Sequence, residues 1–303
     1  MPPPSTDHWE ENFMDWRRFD TCVYKTVCEI FPDEQVLPNQ KVIGQYSRAK
    51  RHCDILVLQN YSGSSILIDA KFRYRKTDCQ HVKEFINLVG DIGCVTGVLV
   101  ASKGYTEKAL QEVQLNPNQL DLELITIEDL VRFEPTYTYQ ISQQQSLKIR
   151  KPFGWIAKTQ SEPYGSAVCH SSRYTSAEAS AKLEILSLHN SYLGAGQSTE
   201  QFIERQNSNI QIKYPGAALF SYEKAESSIG PVPLCIIRLE ILKAFEMTAY
   251  LSVGGIVVCL SMFSPDYKML HRLETLKQLV ATANLTEYPL VNTSSFQQTT
   301  LDP

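Results

Sequence analysis

A chain of 303 residues is longer than one ordinary domain and suits two. Its hydrophobic fraction of 43% is enough to fill real cores, which excludes a wholly disordered chain. The net charge is −4, and the longest apolar run, residues 251–263, is too short to cross a bilayer, which excludes a membrane-spanning helix.

The first residues and the cysteines bear on the compartment. The stretch MPPPSTDHWEENF lacks the basic and apolar regions of a signal peptide, so we expect a soluble, cytoplasmic protein without a membrane partner. Eight cysteines are scattered along the chain, several of them in apolar runs, and we expect reduced, buried thiols. A zinc site is the alternative, without a CxxC pair to support it, from His52, Cys53, Cys79 and His81.

The first predicted helix covers residues 12–31. Apolar residues recur there every three or four positions, and Pro32 ends the pattern. On a helical wheel Asp20 lies about 60° from Val23, within the apolar stripe. Because an isolated acid is seldom buried without a partner, Asp20 either points at a metal site or lies at the edge of the stripe beside Lys or Arg.

Two short apolar runs, residues 55–58 and 66–68, flank the polar stretch NYSGSS and predict a β-hairpin. Asp54 opens the first strand, and Asp69 and Lys71 end the second on one face of the pleat. In this register two carboxylates and an ammonium converge. Carboxylates are natural ligands of Mg²⁺, which polarises a phosphoryl oxygen, while a lysine positions the attacking water. These residue types therefore predict cleavage of a phosphodiester bond.

The same stretch is strongly basic. Residues 41–76 contain eight basic and two acidic side chains, a balance of +6 in a chain whose net charge is −4. Phosphate neutralisation dominates the affinity of proteins for nucleic acids, so we expect a polyanion to bind here, with Arg73 and Arg75 continuing the alternation of Asp69 and Lys71. The residues expected to contact nucleic acid are Arg48, Lys50, Arg51, Arg73, Arg75, Lys76 and, on the next helix, Lys83.

The following elements predict an α/β domain. Asp78 caps a helix with an apolar stripe, residues 94–101 form a buried strand, Thr106 caps a further helix, and residues 122–127 form another strand. The order is helix, hairpin, helix, strand, helix, strand. Such an order predicts a mixed sheet covered by helices.

Four motifs occur in this order along residues 15–130: RFDTCVYKTV, GQYSRAKRHCDILV, ILIDAKFRYRKTDCQHVKEF and GVLVASKGYTEKAL. Together they resemble the first helix, the metal-binding strand, the DxK strand with its helix, and the following strand, turn and helix of Mrr-like domains in the PD-(D/E)xK restriction-endonuclease superfamily. The resemblance implies DNA as substrate and Mg²⁺, replaceable by Mn²⁺, as cofactor. It implies that Asp54, Asp69 and the Ala70 carbonyl hold the metal, that Lys71 is the catalytic lysine and that Asp20 is the helix acid.

The sequence departs from the family pattern in two places. The helix acid of the family is usually Glu, so Asp20 has a shorter arm. Relatives often carry Arg-Gln where this chain has Arg51, His52 and Cys53. A literal PDxK at residues 265–268 precedes a leucine-spaced helix and starts that helix, so it is not a second site.

The remaining chain predicts a second domain. Residues 1–134 are expected to form the nuclease domain, residues 135–174 a linker rich in Tyr, Ser and Gln, residues 175–285 an α+β domain with an antiparallel sheet, and residues 286–303 a flexible tail. Within the second domain we expect helices at 177–188, 198–205 and 266–283, and strands at 211–214, 233–242, 247–253 and 256–263. It resembles a PsbP- or Mog1-type sandwich. It has no converging acids, histidines or nucleophile, so we expect it to bind a protein partner or support a dimer.

Two functions follow from these patterns. The first is a Mg²⁺-dependent DNA endonuclease in restriction, anti-phage defence or DNA processing, and cutting both strands would call for a homodimer or a transient pair. The alternative is a nuclease-fold protein that binds nucleic acid without cleaving it, while the C-terminal domain recruits a partner. The set of Asp54, Asp69 and Lys71 favours the enzyme, because a mere binder gains nothing from desolvated carboxylates beside phosphates.

Overall fold

The computed structural model describes residues 15–60, 65–94, 96–114, 120–159, 166–171 and 174–287. Within these residues a five-stranded mixed sheet is followed by a seven-stranded and a three-stranded antiparallel sheet. The predicted layers are confirmed: an α/β core with a mixed sheet flanked by helices precedes an α+β unit with antiparallel sheets. None of the helices in this described part combines the length and the apolar character that crossing a bilayer requires.

The first unit contains helices and strands in an alternating order. Its elements are α1 (Trp16–Ile30), β1 (Gln35–Ile43), β2 (Lys50–Leu58), β3 (Ser65–Lys71), α2 (Cys79–Ile92), β4 (Thr96–Ala101), α3 (Glu107–Gln114), β5 (Asp121–Thr126) and α4 (Ile127–Val131). The strands lie in the order β1-β2-β3-β4-β5, antiparallel from β1 to β3 and parallel from β3 to β5. The predicted hairpin is β2 and β3; its turn, residues 61–64, lies outside the described residues.

The sheet is covered on both faces. Helices α1 and α4 pack on one face and α2 and α3 on the other. Successive residues of β3 alternate between the two layers: Ile66 and Ile68 face α1, whereas Leu67 faces α2. The buried residues of α1, which include Phe19 and Val23, recur at the spacing that predicted this helix.

Strand β1 was not predicted. Pro38 and Asn39 interrupt its apolar pattern, and Asn39 adopts a positive φ of 51°. An edge strand tolerates such residues, because it needs hydrogen bonds on one side only. The apolar alternation that marks a strand was therefore weak in β1, because an edge strand tolerates residues such as Pro38 and Asn39.

A buried carboxylate fixes the loop that joins β1 to β2. Asp91, in the last turn of α2, accepts hydrogen bonds from the backbone N–H groups of Tyr46 and Ser47, from Ser47 Oγ at 2.6 Å, and from Arg51 Nε. These donors, those of Ser47 foremost, hold the pKa of Asp91 well below its usual range. Gly44 packs so closely on this group that a side chain has no room.

The second unit contains most of the strands. Its elements are β6 (Thr136–Gln140), β7 (Gln145–Arg150), β8 (Trp155–Thr159), β9 (Ala167–Ser171), α5 (Ser176–Ala181), β10 (Ile185–Tyr192), α6 (Thr199–Lys213), β11 (Ala218–Ala225), β12 (Val232–Leu239), β13 (Ala244–Val253), β14 (Ile256–Pro265), α7 (Met269–Ala281) and β15 (Asn284–Glu287). The larger sheet has the order β11-β12-β13-β14-β10-β9-β8, and the smaller one has the order β15-β7-β6.

The structure differs from four expectations in this part of the chain. The segment predicted as a linker, residues 135–174, carries β6 to β9, whose inward residues Tyr139, Leu147 and Trp155 are buried. The Tyr, Ser and Gln residues around them hid the alternation. The helix predicted at residues 177–188 ends as α5 at Ala181, and β10 follows.

The other differences concern α6 and the end of the chain. The strand predicted at residues 211–214 is wrong, because α6 continues to Lys213. Part of the tail, up to Glu287, forms β15 and pairs with β7; residues 288–303 lie outside the described residues. The tight turn at Gly254 and Gly255 between β13 and β14 is confirmed, with φ values of 56° and 81°.

A buried charge cluster joins the two units. Arg272 of α7 is fully buried, and its two terminal nitrogens donate to the two carboxylate oxygens of Asp121 at 3.4 Å each. The guanidinium carbon lies 5.0 Å from the ring centroid of Trp155. Burial alone would raise the pKa of Asp121, but Arg272 and His271 together hold it well below its usual range.

These contacts lie at one end of the strands of the first sheet, not along an outer strand. Asp121 begins β5 and is level, through Thr96, with Ile66 near the start of β3. A second contact at the same end links Arg150 Nη1 of β7 to Glu34 Oε1 at 3.2 Å. Among the described residues, these contacts between the second unit and the first sheet therefore lie at the end of the sheet where β3 to β5 begin.

Replacing Gly44 by Ala is expected to destabilise the protein by about 1–3 kcal/mol, because the new Cβ would lie 2.5 Å from Ser47 Oγ and closer still to Asp91 Oδ2. Gly90→Ala is the matched control on α2, since its Cβ would meet nothing closer than 3.9 Å and should raise helix stability by about 0.5–1 kcal/mol. Urea denaturation measures both. Equal midpoints for the two variants would contradict the packing described for the loop.

Replacing Arg272 by Ala is expected to lower the free energy of unfolding by about 3–5 kcal/mol, because the buried Asp121 carboxylate loses its guanidinium. The double variant Asp121→Ala with Arg272→Ala should lose less than the sum of the single losses. A double-mutant cycle by urea denaturation measures this coupling, and additive losses would show that the pair is not a unit.

Candidate active site

The site lies where β2 and β3 separate. The two strands pair from Leu58 opposite Ser65 to Ile55 opposite Ile68, and the described pairing ends there. Before Ile55, β2 pairs with β1 alone, and after Ile68, β3 pairs with β4. Asp54 and Asp69 are the first residues beyond the last pair, so they occupy the two arms of a fork in the sheet.

Short contacts join the residues at this fork. The N–H group of Ala70 donates to Asp54 Oδ2 at 2.9 Å, so this carboxylate replaces a main-chain acceptor on the neighbouring strand. Lys71 Nζ lies 2.6 Å from Asp69 Oδ2. Asp69 is buried, whereas the side chains of Asp54 and Lys71 are 27% and 31% exposed. The predicted convergence of these three side chains is therefore present, with one carboxylate inside and two groups facing the opening.

The electrostatics of the fork are unusual for carboxylates. Burial and the neighbouring Asp54 carboxyl raise the pKa of Asp69 from 3.8 to about 7, although Lys71 opposes the rise. Asp20 is half-buried on α1, and burial first, then the charge of Asp54, raises its pKa as well, again against Lys71. The pKa of Asp20 therefore depends in part on the charges of Asp54 and Lys71.

The donor set suits a divalent cation of the oxygen-binding type. Asp20, Asp54 and Asp69 bring three carboxyl groups against the one ammonium of Lys71; burial first, and then the neighbouring Asp54, raises the pKa of Asp20 and of Asp69. Among the described residues, no three His, Cys, Asp or Glu side chains approach closely enough to hold an ion by themselves. Asp54 and Asp69 would therefore need main-chain oxygen or water to complete a coordination shell.

The zinc alternative is wrong, because its four residues form no metal-binding group in the described part of the chain. Cys53 is buried and its thiol donates to the Gln40 carbonyl, while the Cys79 thiol contacts Glu112. His81 instead contacts Asp78, with Nδ1 and Oδ1 2.7 Å apart. The cysteines in the described structure are free thiols.

The basic residues after β3 are arranged differently from the expected alternation. The strand ends at Lys71, and the Arg73 N–H donates to Ser102 Oγ at 2.8 Å in the loop beyond it. The Arg73 guanidinium contacts the ring of His81 on the first turn of α2. Arg75 and Lys76 are exposed in the same loop.

Two of the predicted nucleic-acid contacts are engaged within the protein. Arg51 points towards α2 and pairs with Asp91, and Lys83 Nζ lies 3.6 Å from Glu112 Oε2. Arg48 and Lys50, in contrast, are exposed at the end of the β1–β2 hairpin, and Arg48 adopts a positive φ of 56°. The single basic strip predicted from the sequence is therefore divided between the loop after β3 and this hairpin.

Apart from the zinc alternative, sequence reasoning assigned no role to His52, which lies beside the fork, and it assigned none to Asp91. His52 is 55% exposed, and its Nδ1 lies 3.7 Å from Asp54 Oδ1. Asp91 anchors the hairpin loop described above. A signal for Asp91 was present, because an acid inside the apolar run LVGDIG needs a partner, but the partner lies 44 positions away at Ser47.

Comparison with known proteins identifies the first unit. A family model described as "Restriction endonuclease", Mrr_cat, matches residues 14–133. No curated protein matches the chain.

Three solved structures show weak likenesses. A protein of unknown function, AF1548, shares 14% identity over 40% of this chain and 71% of its own, with a TM-score of 0.31. The cyanobacterial PsbP protein CyanoP of Synechocystis sp. PCC 6803 shares 13% identity over 52% and 94%, with a TM-score of 0.36. A mutant of the protein Mog1 shares 12% identity over 49% and 87%, with a TM-score of 0.31. Scores this low support no conclusion about the second unit.

The matched range contains the mixed sheet, its covering helices and the fork with Asp54, Asp69 and Lys71. Residues 14–133 therefore form an Mrr-like restriction endonuclease domain of the PD-(D/E)xK type.

Proposed function

We propose that this protein is a Mg²⁺-dependent nuclease that hydrolyses phosphodiester bonds within DNA. The observation that carries the proposal is the fork: two carboxylates and a lysine from the neighbouring strands β2 and β3 converge there, and the side chains of Asp54 and Lys71 are partly exposed. The family supports a nuclease of the restriction-endonuclease type. The metal, the DNA substrate and cleavage itself are the parts we propose.

Asp54, Asp69 and the Ala70 carbonyl would hold the cation. The N–H and C=O groups of one strand residue point the same way, and the N–H of Ala70 points at Asp54, so its carbonyl also faces the gap of the fork. All three donors are oxygens, as Mg²⁺ prefers, and Mn²⁺ would suit the same set. When bound, the cation would polarise a phosphoryl oxygen and lower the pKa of a water molecule.

The other side chains have separate tasks in this proposal. The Lys71 ammonium, next to the opening, positions the attacking water and offsets the charge that develops on the phosphate. Asp20 adds negative charge behind Asp54 and favours cation binding. Arg73, Arg75 and Lys76 lie in the loop that directly follows Lys71 and bind the phosphates beside the scissile bond.

The biological setting is part of the proposal. Restriction, anti-phage defence or DNA processing in the cytoplasm suits a nuclease of this family. The described residues of each chain contain one fork, so cutting both strands of a duplex would call for two copies, as a homodimer or a transient pair. The second unit, with no catalytic group assigned to it, serves to recruit a protein partner.

Replacing Asp69 by Asn or Lys71 by Ala should lower the rate of plasmid cleavage in Mg²⁺ by at least about a hundredfold, because each removes a charge at the reacting phosphate. Asp266→Asn, in the PDxK sequence that precedes α7, is the matched control and should cleave as the unaltered protein does. Gel assays of supercoiled plasmid measure the rates.

Two outcomes would count against the nuclease assignment. Undiminished cleavage by both fork variants would remove the roles given to Asp69 and Lys71. Salt-sensitive binding of DNA without cleavage in Mg²⁺ or Mn²⁺ would favour the alternative, a nuclease-fold protein that binds nucleic acid without cutting it.

The raised pKa of Asp69 predicts a pH dependence of cleavage. Below pH about 7 the carboxyl of the metal-free protein is protonated and cannot bind a cation, so cleavage at limiting Mg²⁺ should rise with pH and level off above about 7. Because the cation competes with the proton, more Mg²⁺ should move the midpoint to lower pH. Profiles of cleavage rate against pH at two Mg²⁺ concentrations test this. A midpoint that does not change with the Mg²⁺ concentration would contradict it.

The same group affects stability in a defined direction. Between pH 3.8 and about 7 the folded protein binds a proton at Asp69 that the unfolded chain has released, so this group makes the protein less stable as the pH rises through that window. Asp69→Asn should remove this contribution. Its free energy of unfolding should therefore exceed that of the unaltered protein by the largest amount at pH 8. Urea denaturation at pH 5 and pH 8 measures the difference, and an equal gain at both values would contradict the assignment.

A further inference from the structure

The β1–β2 hairpin has two distinct faces beyond the fork. On the inner face, Arg51 and Cys53 turn towards α2, where Arg51 meets Asp91 and Cys53 is buried. On the outer face, cross-strand neighbours pair Lys41 with His52 and Ile43 with Lys50, and all four are exposed. The outer face therefore has no partner among the described residues that would bury it.

The charge of this hairpin has one sign. Residues 39–53 contain four Lys or Arg residues and no Asp or Glu. Asp91 neutralises the one on the inner face, Arg51. The three that remain, Lys41, Arg48 and Lys50, are exposed on the outer face and at the tip, and we call them the basic track. A protein with a net charge of −4 has concentrated uncompensated positive charge there.

The tip of the hairpin is held in place although its side chains face solvent. The backbone of Tyr46 and Ser47 is fixed by Asp91, the Gln45 N–H donates to the Asp91 carbonyl, and the Arg48 N–H donates to the Gly44 carbonyl at 3.1 Å. The side chain of Tyr46 is nevertheless 82% exposed. A loop that is fixed inside and displays a cation and an aromatic ring outside loses little entropy when it binds a partner.

The basic track begins beside the fork. His52 lies 3.7 Å from Asp54, and Lys41 is the cross-strand neighbour of His52. Along the extended strand β2, Lys50 is about 13 Å from Asp54, whereas Arg48 lies beyond the strand, in the turn, with a positive φ of 56°. At about 3.4 Å per base pair, the distance to Lys50 corresponds to about four base pairs of duplex.

We propose that the basic track binds the phosphate backbone of duplex DNA, with Lys50 about four base pairs from the bond that is cut. This inference rests on the nuclease function proposed above, and it adds a second contact that is independent of base sequence. Phosphate contacts of this kind fix the register of the duplex on the protein and carry no sequence information. Asp91 is a positioning residue, since it acts through the loop that it holds.

The test measures binding without cleavage. The triple variant Lys41→Gln, Arg48→Gln and Lys50→Gln is compared with the unaltered protein. Binding to a labelled duplex of about 24 base pairs, longer than the proposed contact, is measured by fluorescence anisotropy in EDTA. We expect at least a tenfold loss of affinity at about 0.15 M salt. The slope of log K against log salt should fall in magnitude by about 2–3, close to one unit for each lost phosphate contact.

Two control variants separate a local contact from net charge and from misfolding. Lys148→Gln, Lys158→Gln and Lys224→Gln remove the same charge from exposed positions on the second unit and should leave affinity and slope unchanged. Lys41→Arg with Lys50→Arg keeps the charge of the basic track and should bind as the unaltered protein does. An unchanged salt slope in the glutamine variant, or an equal loss in the second-unit control, would overturn the proposal.

Further arms distinguish this proposal from the nuclease assignment and from other nucleic acids. If the protein cleaves DNA, the glutamine variant should raise KM and keep kcat at saturating duplex, and a fall in kcat alone would overturn the role of the track. If the protein binds as predicted but does not cleave, the nuclease proposal fails, and the proposal that the basic track binds duplex DNA is supported. A salt slope that falls on single-stranded RNA but not on duplex DNA would overturn the choice of partner.

Discussion

The charge balance at the fork is the constraint on which this structure depends. A carboxylate such as Asp69 is costly to bury, and a second carboxylate beside it adds to the cost. The fold offsets part of this through Lys71 and through the Ala70 N–H that binds Asp54. The remaining excess of negative charge is what makes the fork suited to a cation. A core selected for stability alone would have apolar residues at these positions.

Sheet topology explains why these side chains meet. Antiparallel pairing brings β2 to β3, and parallel pairing then draws β3 towards β4, so the two strands must separate at one point. Asp54 and Asp69 lie at that point. There the Ala70 N–H group has no main-chain acceptor on β2 and donates to the Asp54 side chain instead. Helix α1 covers the neighbouring face and brings Asp20 near, because its buried residue Phe19 anchors this turn of the helix.

The sequence predicted what is local and missed what is distant. The hairpin, the helix capped by Asp78 and the convergence of Asp54, Asp69 and Lys71 follow from alternation and spacing within about twenty residues, and the structure has them. Strand β1 was missed because Pro38 and Asn39 conceal an edge strand, and β6 to β9 were taken for a linker because polar residues surround Tyr139 and Leu147. The pairing of Arg272 with Asp121 spans 151 positions, and no local pattern indicates it.

The position of the second unit has a consequence for how a polymer gains access. It is joined to the edge where β3 to β5 begin, through Asp121 and Glu34, while the fork is at the far ends of these strands. Among the described residues, the contacts with the second unit and the fork therefore lie at opposite ends of the same strands. In the nuclease that we propose, a closed circular DNA would reach the fork from the side, as a linear one would, and would need no free end.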